Sequence, residues 1–266
     1  MKINKKIIIF IIIFSVVIFL CCLFLVIMRN VNIANENKKP VFKISKILLY
    51  SSADATDNSP NGLLQSLDIN QFTDIAIYID NKSKIQNLTS ENTVKEISIC
   101  NIKLDTSSDI GNKFVNYKNP LSYGKFADLQ YNDKDITFSG IATNDENNNA
   151  DYNSPVFYAD CSNPVSLGYV DLGILKDYNV PEDDNYGTSL NARTILFDGS
   201  LLKKAGIKIE DLKCNLSFTI KIKNYLDEEF TCDVVLNSIA GDDSIYNGYY
   251  TKEYTPQSSL YDFIKL

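Results

Sequence analysis

Ile7 to Met28 is an unbroken run of 22 residues without a charge, Pro, Gly, Asn or Gln. At about 1.5 Å per residue a helix of that length reaches roughly 33 Å, enough to cross a hydrocarbon layer of about 30 Å. A cleavable signal peptide has a shorter apolar region, about 7–15 residues, followed by a small-residue cut site. The flank Arg29-Asn30-Val31-Asn32 offers no such site, and Ile33-Ala34-Asn35 fits one poorly. Cys21 and Cys22 raise a lipid-attachment reading, but Leu20 precedes Cys21 where a small residue is wanted, and apolar residues continue to Met28. The run therefore reads as an uncleaved transmembrane helix, with cleaved secretion and a lipoprotein as alternatives. The two cysteines then serve as small hydrophobes.

Lys2, Lys5 and Lys6 precede the run; Arg29, Lys38, Lys39, Lys43 and Lys46 follow it. The bare count does not favour an inside N-terminus. The three leading lysines crowd the membrane edge, however, and large C-terminal domains translocate largely regardless of charge. The expected layout is a cytoplasmic tail (1–6), a membrane helix (7–28), a polar tether (29–40) and an extracytoplasmic domain (41–266). That places the protein in the cell membrane as a single-pass chain.

The tail and helix carry none of the 33 acidic side chains. Residues 31–266 hold 22 of the 26 basic ones, a net charge of −11. This disfavours nucleic acid, anionic lipid and anionic wall polymers as main partners, because each needs a basic footprint. The chain has no His, so imidazole general bases, catalytic triads and His-ligated metals are excluded. It has no Trp, which weakens a sugar-platform reading, although 16 Tyr could substitute.

From Val41 onward, strand patterns dominate. Ile75, Ile77 and Ile79 alternate with Ala76 and Tyr78. Ile97 and Ile99 lead into Cys100, Ile102 and Leu104 with a change of phase that predicts a bulge. Asp135 to Ala142, Pro155 to Cys161, Leu167 to Leu175 and Arg193 to Asp198 read as shorter strands. Leu212 to Ile239 reads as a long hairpin around the loop Asn224–Glu229. Turn clusters at 57–62, 119–120, 144–154 and 181–187 separate these segments. One short helix is expected, capped by Ser200 and ended by Gly206. The fold class is thus all-β: an antiparallel β-sandwich with one short helix, preceded by one transmembrane helix.

Cys100, Cys161, Cys214 and Cys232 lie beyond the apolar run and permit two disulfides on an oxidising side. In the expected hairpin Cys232 faces Ile222, which puts Cys214 about 26 Å away at about 3.3 Å per residue. This argues against a Cys214–Cys232 bridge, since a disulfide needs Cα atoms within about 7 Å. Buried thiols remain as open a reading as any other bridge. No CxxC occurs, so a zinc or redox centre has no support.

The segments LDINQFTDIAIYIDN (67–81), TVKEISICNIKL (93–104), YGKF (123–126) and LFDGSLLKKAGIKIEDLKCNLSFTIKIKN (196–224) together resemble a group of uncharacterised membrane-anchored proteins of clostridia and related low-GC Gram-positive bacteria. The bias toward Ile, Asn and Lys fits such a source. The resemblance implies an extracytoplasmic location and carries over no activity or site residue.

Three constellations could carry chemistry. Asp145, Asn147, Asn149 and Asp151 alternate like the start of a calcium loop. Ala150 occupies the sharp-turn position and Val156 that of the closing Glu, so a solvated polar turn is the better reading. Ser200-Leu201-Leu202-Lys203 matches the S-x-x-K nucleophile motif, but no K-T-G follows it, and Ser200 as a helix cap explains the same residues. Tyr246, Tyr249, Tyr250 and Tyr254, with Tyr261, could form an aromatic face for a glycan or a protein; the alternative is Tyr as a strand former. No catalytic residue and no cofactor is assigned. The leading expectation is a non-catalytic binding or accessory module of the cell envelope, with the membrane, and an envelope protein or glycan, as expected partners. The alternatives are a His-free hydrolase using paired carboxylates on envelope glycans, and a calcium-stabilised adhesion-like domain.

Overall fold

The period-2 pattern of Leu67, Ile69, Ile75, Ile77 and Ile79 places every second side chain of one long strand inward. Burial alternates without a break over all 16 residues, Ser66–Asn81. The computed structural model describes residues 14, 17–29, 40–60, 65–81, 89–106, 108, 110–111, 114–117, 129–130, 136–141, 156–158, 161, 165–180, 196–239, 241–255 and 261–266. Two units are distinguished, Met1–Pro40 and Val41–Leu266.

In the first unit, helical backbone is described at Phe14 and over residues 17–29, here called α1. Among the described residues no helix is long and apolar enough to cross a membrane. The described part of α1 is shorter than the about 20 residues a span requires. Its large apolar side chains, among them Phe19, Phe24 and Leu25, are exposed.

The second unit contains two six-stranded sheets. Its strands are β1 (Phe42–Asp57), β2 (Ser66–Asn81), β3 (Val94–Thr106), β4 (Phe114–Tyr117), β5 (Leu129–Gln130), β6 (Ile136–Ile141), β7 (Val156–Tyr158), β8 (Val165–Asn179), β9 (Cys214–Asn224), β10 (Glu229–Leu236), β11 (Tyr250–Tyr254) and β12 (Ile264–Lys265). One sheet runs β11-β1-β2-β8-β4-β5 and the other β12-β10-β9-β3-β6-β7. Buried residues of both sheets join one hydrophobic core. Phe42 of β1 meets Phe230 of β10 edge-to-face at 5.2 Å between ring centroids, so the sheets pack through their apolar faces. The body is mostly β, with few helices.

Several expectations meet the structure directly. The phase change near Cys100 is an irregularity in the β3–β9 register between Cys100 and Lys103, with Asn101 at φ 55°. The hairpin is present, but its loop is tighter than the sequence suggested. Asn224 N–H donates to the Glu228 carbonyl at 3.1 Å, and Cys232 pairs with Ile220 rather than Ile222. Cys214 then lies six residues from Cys232's partner, about 20 Å along the strand, and Cys232 keeps a free thiol.

Other details differ. β6 and β7 pair in parallel, not antiparallel. Residues 142–155 join them, a connection long enough to cross over, where a hairpin turn would have forced the antiparallel sense. Residues 196–198, the described end of an expected strand, are not extended into a sheet. Among the described residues of the body, three helical pieces stand where one was expected: α2 (Ser200–Lys204), α3 (Ile209–Leu212) and a 3-10 turn at Asp243–Asn247. Gly206, at φ 73°, terminates α2 as its sequence position suggested.

Candidate functional site

Ser200 is the first residue of α2 and not its cap. Gly199 holds the cap position without a side-chain hydrogen bond there. The carboxylate of Asp198 takes the capping load, accepting from Ser200 N at 2.9 Å and from Ser200 Oγ at 2.5 Å. The Ser200 hydroxyl thus serves the start of α2, donating to the carboxylate two residues before it. Lys203 is exposed. The S-x-x-K match is therefore a helix start.

Cys232 is buried, and burial, with Asp233 and Asp262 nearby, pushes its thiol up to about 12. At neutral pH such a thiol is protonated and a poor nucleophile. Among the described residues no three Cys, Asp or Glu side chains gather as a metal site. Asp145, Asn147, Asn149 and Asp151 lie outside the described residues. A carboxylate pair of the hydrolytic kind needs two acids facing each other across about 5–9.5 Å. Asp54 has its pKa raised by burial, but its cross-strand partner is Asn70. Asp227 and Glu228 are held below the usual range by Lys95 and Lys265 respectively, as in ordinary surface ion pairs.

The tyrosines separate by role. Tyr246 lies in the 3-10 turn and donates its hydroxyl to the Ile207 carbonyl at 2.6 Å, tying that turn to the link between α2 and α3. Tyr250 opens β11 and is buried in the core. Tyr254 donates to the Asn237 carbonyl at 3.0 Å, and Lys252 Nζ lies 4.3 Å from its ring centroid. Tyr261 packs half-buried against the core. These four serve the fold.

Tyr249 does not. It is 58% exposed and stacks on Tyr50, itself 41% exposed, with centroids 5.8 Å apart and planes 24° from parallel. Tyr50 also leans on Phe72 at 6.2 Å. The three rings form a short aromatic row on the outward face of β1 and β2. Asp74, opposite Tyr50 in the β1–β2 register, brings a carboxylate to the same strip. Such a row offers flat apolar area flanked by a hydrogen-bond acceptor. Sequence reasoning found Tyr249 and missed Tyr50 and Phe72. The available signal was the outward phase of Tyr50 in β1, but nothing local pairs it with a residue almost 200 positions later.

The chain matches no family model, no curated protein and no solved structure.

Proposed function

We propose that this protein is a membrane-anchored extracytoplasmic β-domain that acts as a non-catalytic binding or accessory module of the cell envelope. The observation that carries the binding role is the exposed Tyr249–Tyr50 stack, two large aromatic rings held face to face outside the core. Two reactive side chains have structural surroundings that agree with this reading: Ser200 starts a helix, and Cys232 is buried.

Support for the anchor comes from α1. Its apolar side chains are exposed on every side, and a helix that is hydrophobic all round needs an apolar surround. In sequence the run extends from Ile7 to Met28, long enough to span. The antiparallel sandwich and the resemblance to anchored proteins of Gram-positive bacteria belong to the same reading.

Two experiments test it. Membranes carrying the full chain are washed with alkaline carbonate, and intact cells are treated with protease. The chain should stay in the pellet and the β-domain should be cleaved; release by carbonate, or protection from protease, overturns the anchored, external assignment. For binding, detergent-solubilised protein is passed over isolated envelope material. Tyr249→Ala should reduce retention about tenfold, the loss expected when a central aromatic contact is removed. Equal retention of wild type and variant sinks the aromatic row as the contact surface.

A further inference from the structure

The second unit gathers several of its elements at one end. Phe42 begins β1 and pairs with Asn81, the last residue of β2. Val94 begins β3 and pairs with Asn224, the last residue of β9. Phe263 N–H donates to the Phe42 carbonyl, Tyr225 N–H to the Ser90 carbonyl, and Leu266 N–H to the Glu229 carbonyl. The β9–β10 turn, the turn before β3, strand β12 and the point where the chain enters from residue 40 therefore share one end of the body.

That end carries apolar side chains in the open. Tyr225 and Leu226 form the tip of the β9–β10 turn and are 50 and 55% exposed; Ile264 and Leu266 beside them are 69 and 70% exposed. Turn tips normally hold Gly, Pro, Asn, Asp or Ser, because these supply the backbone geometry without exposing apolar area. Here Asn224 supplies the geometry from below. Its Oδ1 accepts from Leu226 N at 3.0 Å and from Glu228 N at 2.9 Å, which fixes the tip with its two large side chains pointing outward.

Among the described residues, three ion pairs lie at this end. Lys95 meets Asp227 at 2.6 Å, Lys223 meets Glu229 at 3.4 Å, and Lys265 bonds Glu228. A paired charge at a surface opposes an apolar medium less than a lone one does, and the side chains between the pairs are Tyr and Leu. Glu91 and Lys43, of opposite sign, are both exposed at this end, which favours a neutral surface over a charged one.

We infer that this end of the β-body, through Tyr225, Leu226, Ile264 and Leu266, seats on the neutral lipid surface of the membrane that holds the chain. The inference rests on the anchored reading above. If residues 7–28 span a bilayer, residues 29–40 can reach at most about 42 Å when fully extended, and the body is joined at this same end. Four exposed apolar side chains alone would give weak lipid binding. Covalent attachment raises the local lipid concentration so far that weak affinity suffices. Tyr and Leu at the headgroup boundary are the side chains expected of such a contact.

The absence of Trp from the chain makes the test direct, because one introduced Trp becomes the sole indole. Full-length Leu226→Trp and Tyr249→Trp proteins are reconstituted in phosphatidylcholine vesicles with and without brominated acyl chains. Ile264→Trp serves as a second reporter on the contact. Tyr249 stacks on Tyr50, which is eight residues up β1 from Phe42, about 26 Å from the contact end. All three proteins should float with the vesicles. Bromination should cut the emission of the Leu226→Trp and Ile264→Trp proteins about twofold and leave Tyr249→Trp unchanged.

Flotation without quenching at 226 and 264 overturns the inference and leaves the anchor intact. Equal quenching at 226 and 249 also overturns it. A blue-shifted but unquenched Leu226→Trp would mean that protein, such as a second copy of the chain, covers the tip in place of lipid. Failure to float removes the anchor and this contact together.

Discussion

The backbone N–H of Gly199 donates to the carbonyl of Gly248 at 2.7 Å, joining the start of α2 to the end of the 3-10 turn. Ser52 Oγ donates to the same carbonyl at 2.8 Å, which brings in β1 as well. A Cβ on Gly199 would lie 2.1 Å from the Ile245 carbonyl oxygen and 2.8 Å from that of Gly248, both rigid backbone atoms. Gly199→Ala should therefore destabilise the body by about 3 kcal/mol, the upper part of the usual overpacking range. Gly206→Ala is the control: its φ is 73° but nothing lies within 4 Å of the added carbon, so the cost should be about 1 kcal/mol of backbone strain alone. Urea unfolding of both variants checks the difference; equal losses would refute the packing account.

Asn224 uses both ends of its amide. Nδ2 donates to the Glu91 carbonyl and to Glu228 Oε2, each at 2.9 Å, while Oδ1 holds Leu226 N and Glu228 N. Each of the four bonds contributes about 1 kcal/mol, so Asn224→Ala should cost about 4 kcal/mol. Asn224→Asp keeps the acceptor role but sets a carboxylate against Glu228 and a carbonyl. The new acid's folded pKa should be raised, so its penalty should shrink as pH falls from 7 toward 4. A pH-independent difference from wild type in urea midpoints would contradict this.

Cys232 has a thiol pKa raised above its ordinary value of 9.0 to about 12. The sign follows from the raised value. The protonated thiol is compatible with the fold, so its contribution is whole below the unfolded pKa and is lost as pH rises from about 9 through about 12. Relative to Cys232→Ala, the wild-type melting temperature should fall faster in that window. At pH 8 the thiolate fraction in the folded chain should be about 1000-fold below that of the unfolded chain. Peptide-resolved alkylation should therefore label Cys232 only after denaturant is added, and prompt native labelling would refute its burial.

Gln71 is buried with its Nε2 bonded to the Phe72 carbonyl at 2.8 Å and to Thr73 Oγ1 at 3.1 Å, while its Oε1 has no hydrogen-bond partner. A buried orphan acceptor costs about 1–3 kcal/mol, comparable to what the two donated bonds return. Gln71→Met should therefore leave stability within about 1 kcal/mol of wild type. Thr73→Val removes a hydroxyl that also bonds Ser51 Oγ at 2.8 Å, and should cost about 2 kcal/mol. A Gln71→Met loss larger than that of Thr73→Val would show that the orphan oxygen is better solvated than its burial indicates.

Where a strand buries one face, its side chains state the register themselves, and here they could be read directly. The unbroken alternation of β2 and the inward-facing residues of β9 and β10 follow from single-residue periodicity. The Cys100 bulge was legible for the same reason, because a slip of one residue reverses which side chains face inward. The loop closure at Asn224 was not legible. Its bonds to Leu226 and Glu228 are local, but the remaining one goes to the Glu91 carbonyl, 133 residues away, and no local pattern encodes it. The aromatic row failed for a similar reason: Tyr50 and Tyr249 meet only because β11 pairs with β1.

By itself the sequence determined the kind of elements this chain forms, which faces they bury, and that a long apolar segment precedes a strand-rich body. Those properties depend on neighbours two to four residues apart, where side-chain periodicity and turn chemistry act directly. Tertiary structure alone decided which strands are adjacent, that β6 and β7 run parallel, and that a single tyrosine of the C-terminal cluster remains outside with Tyr50. Each of these is a contact between distant segments, and its free energy exists only after the two sheets have closed on a common core.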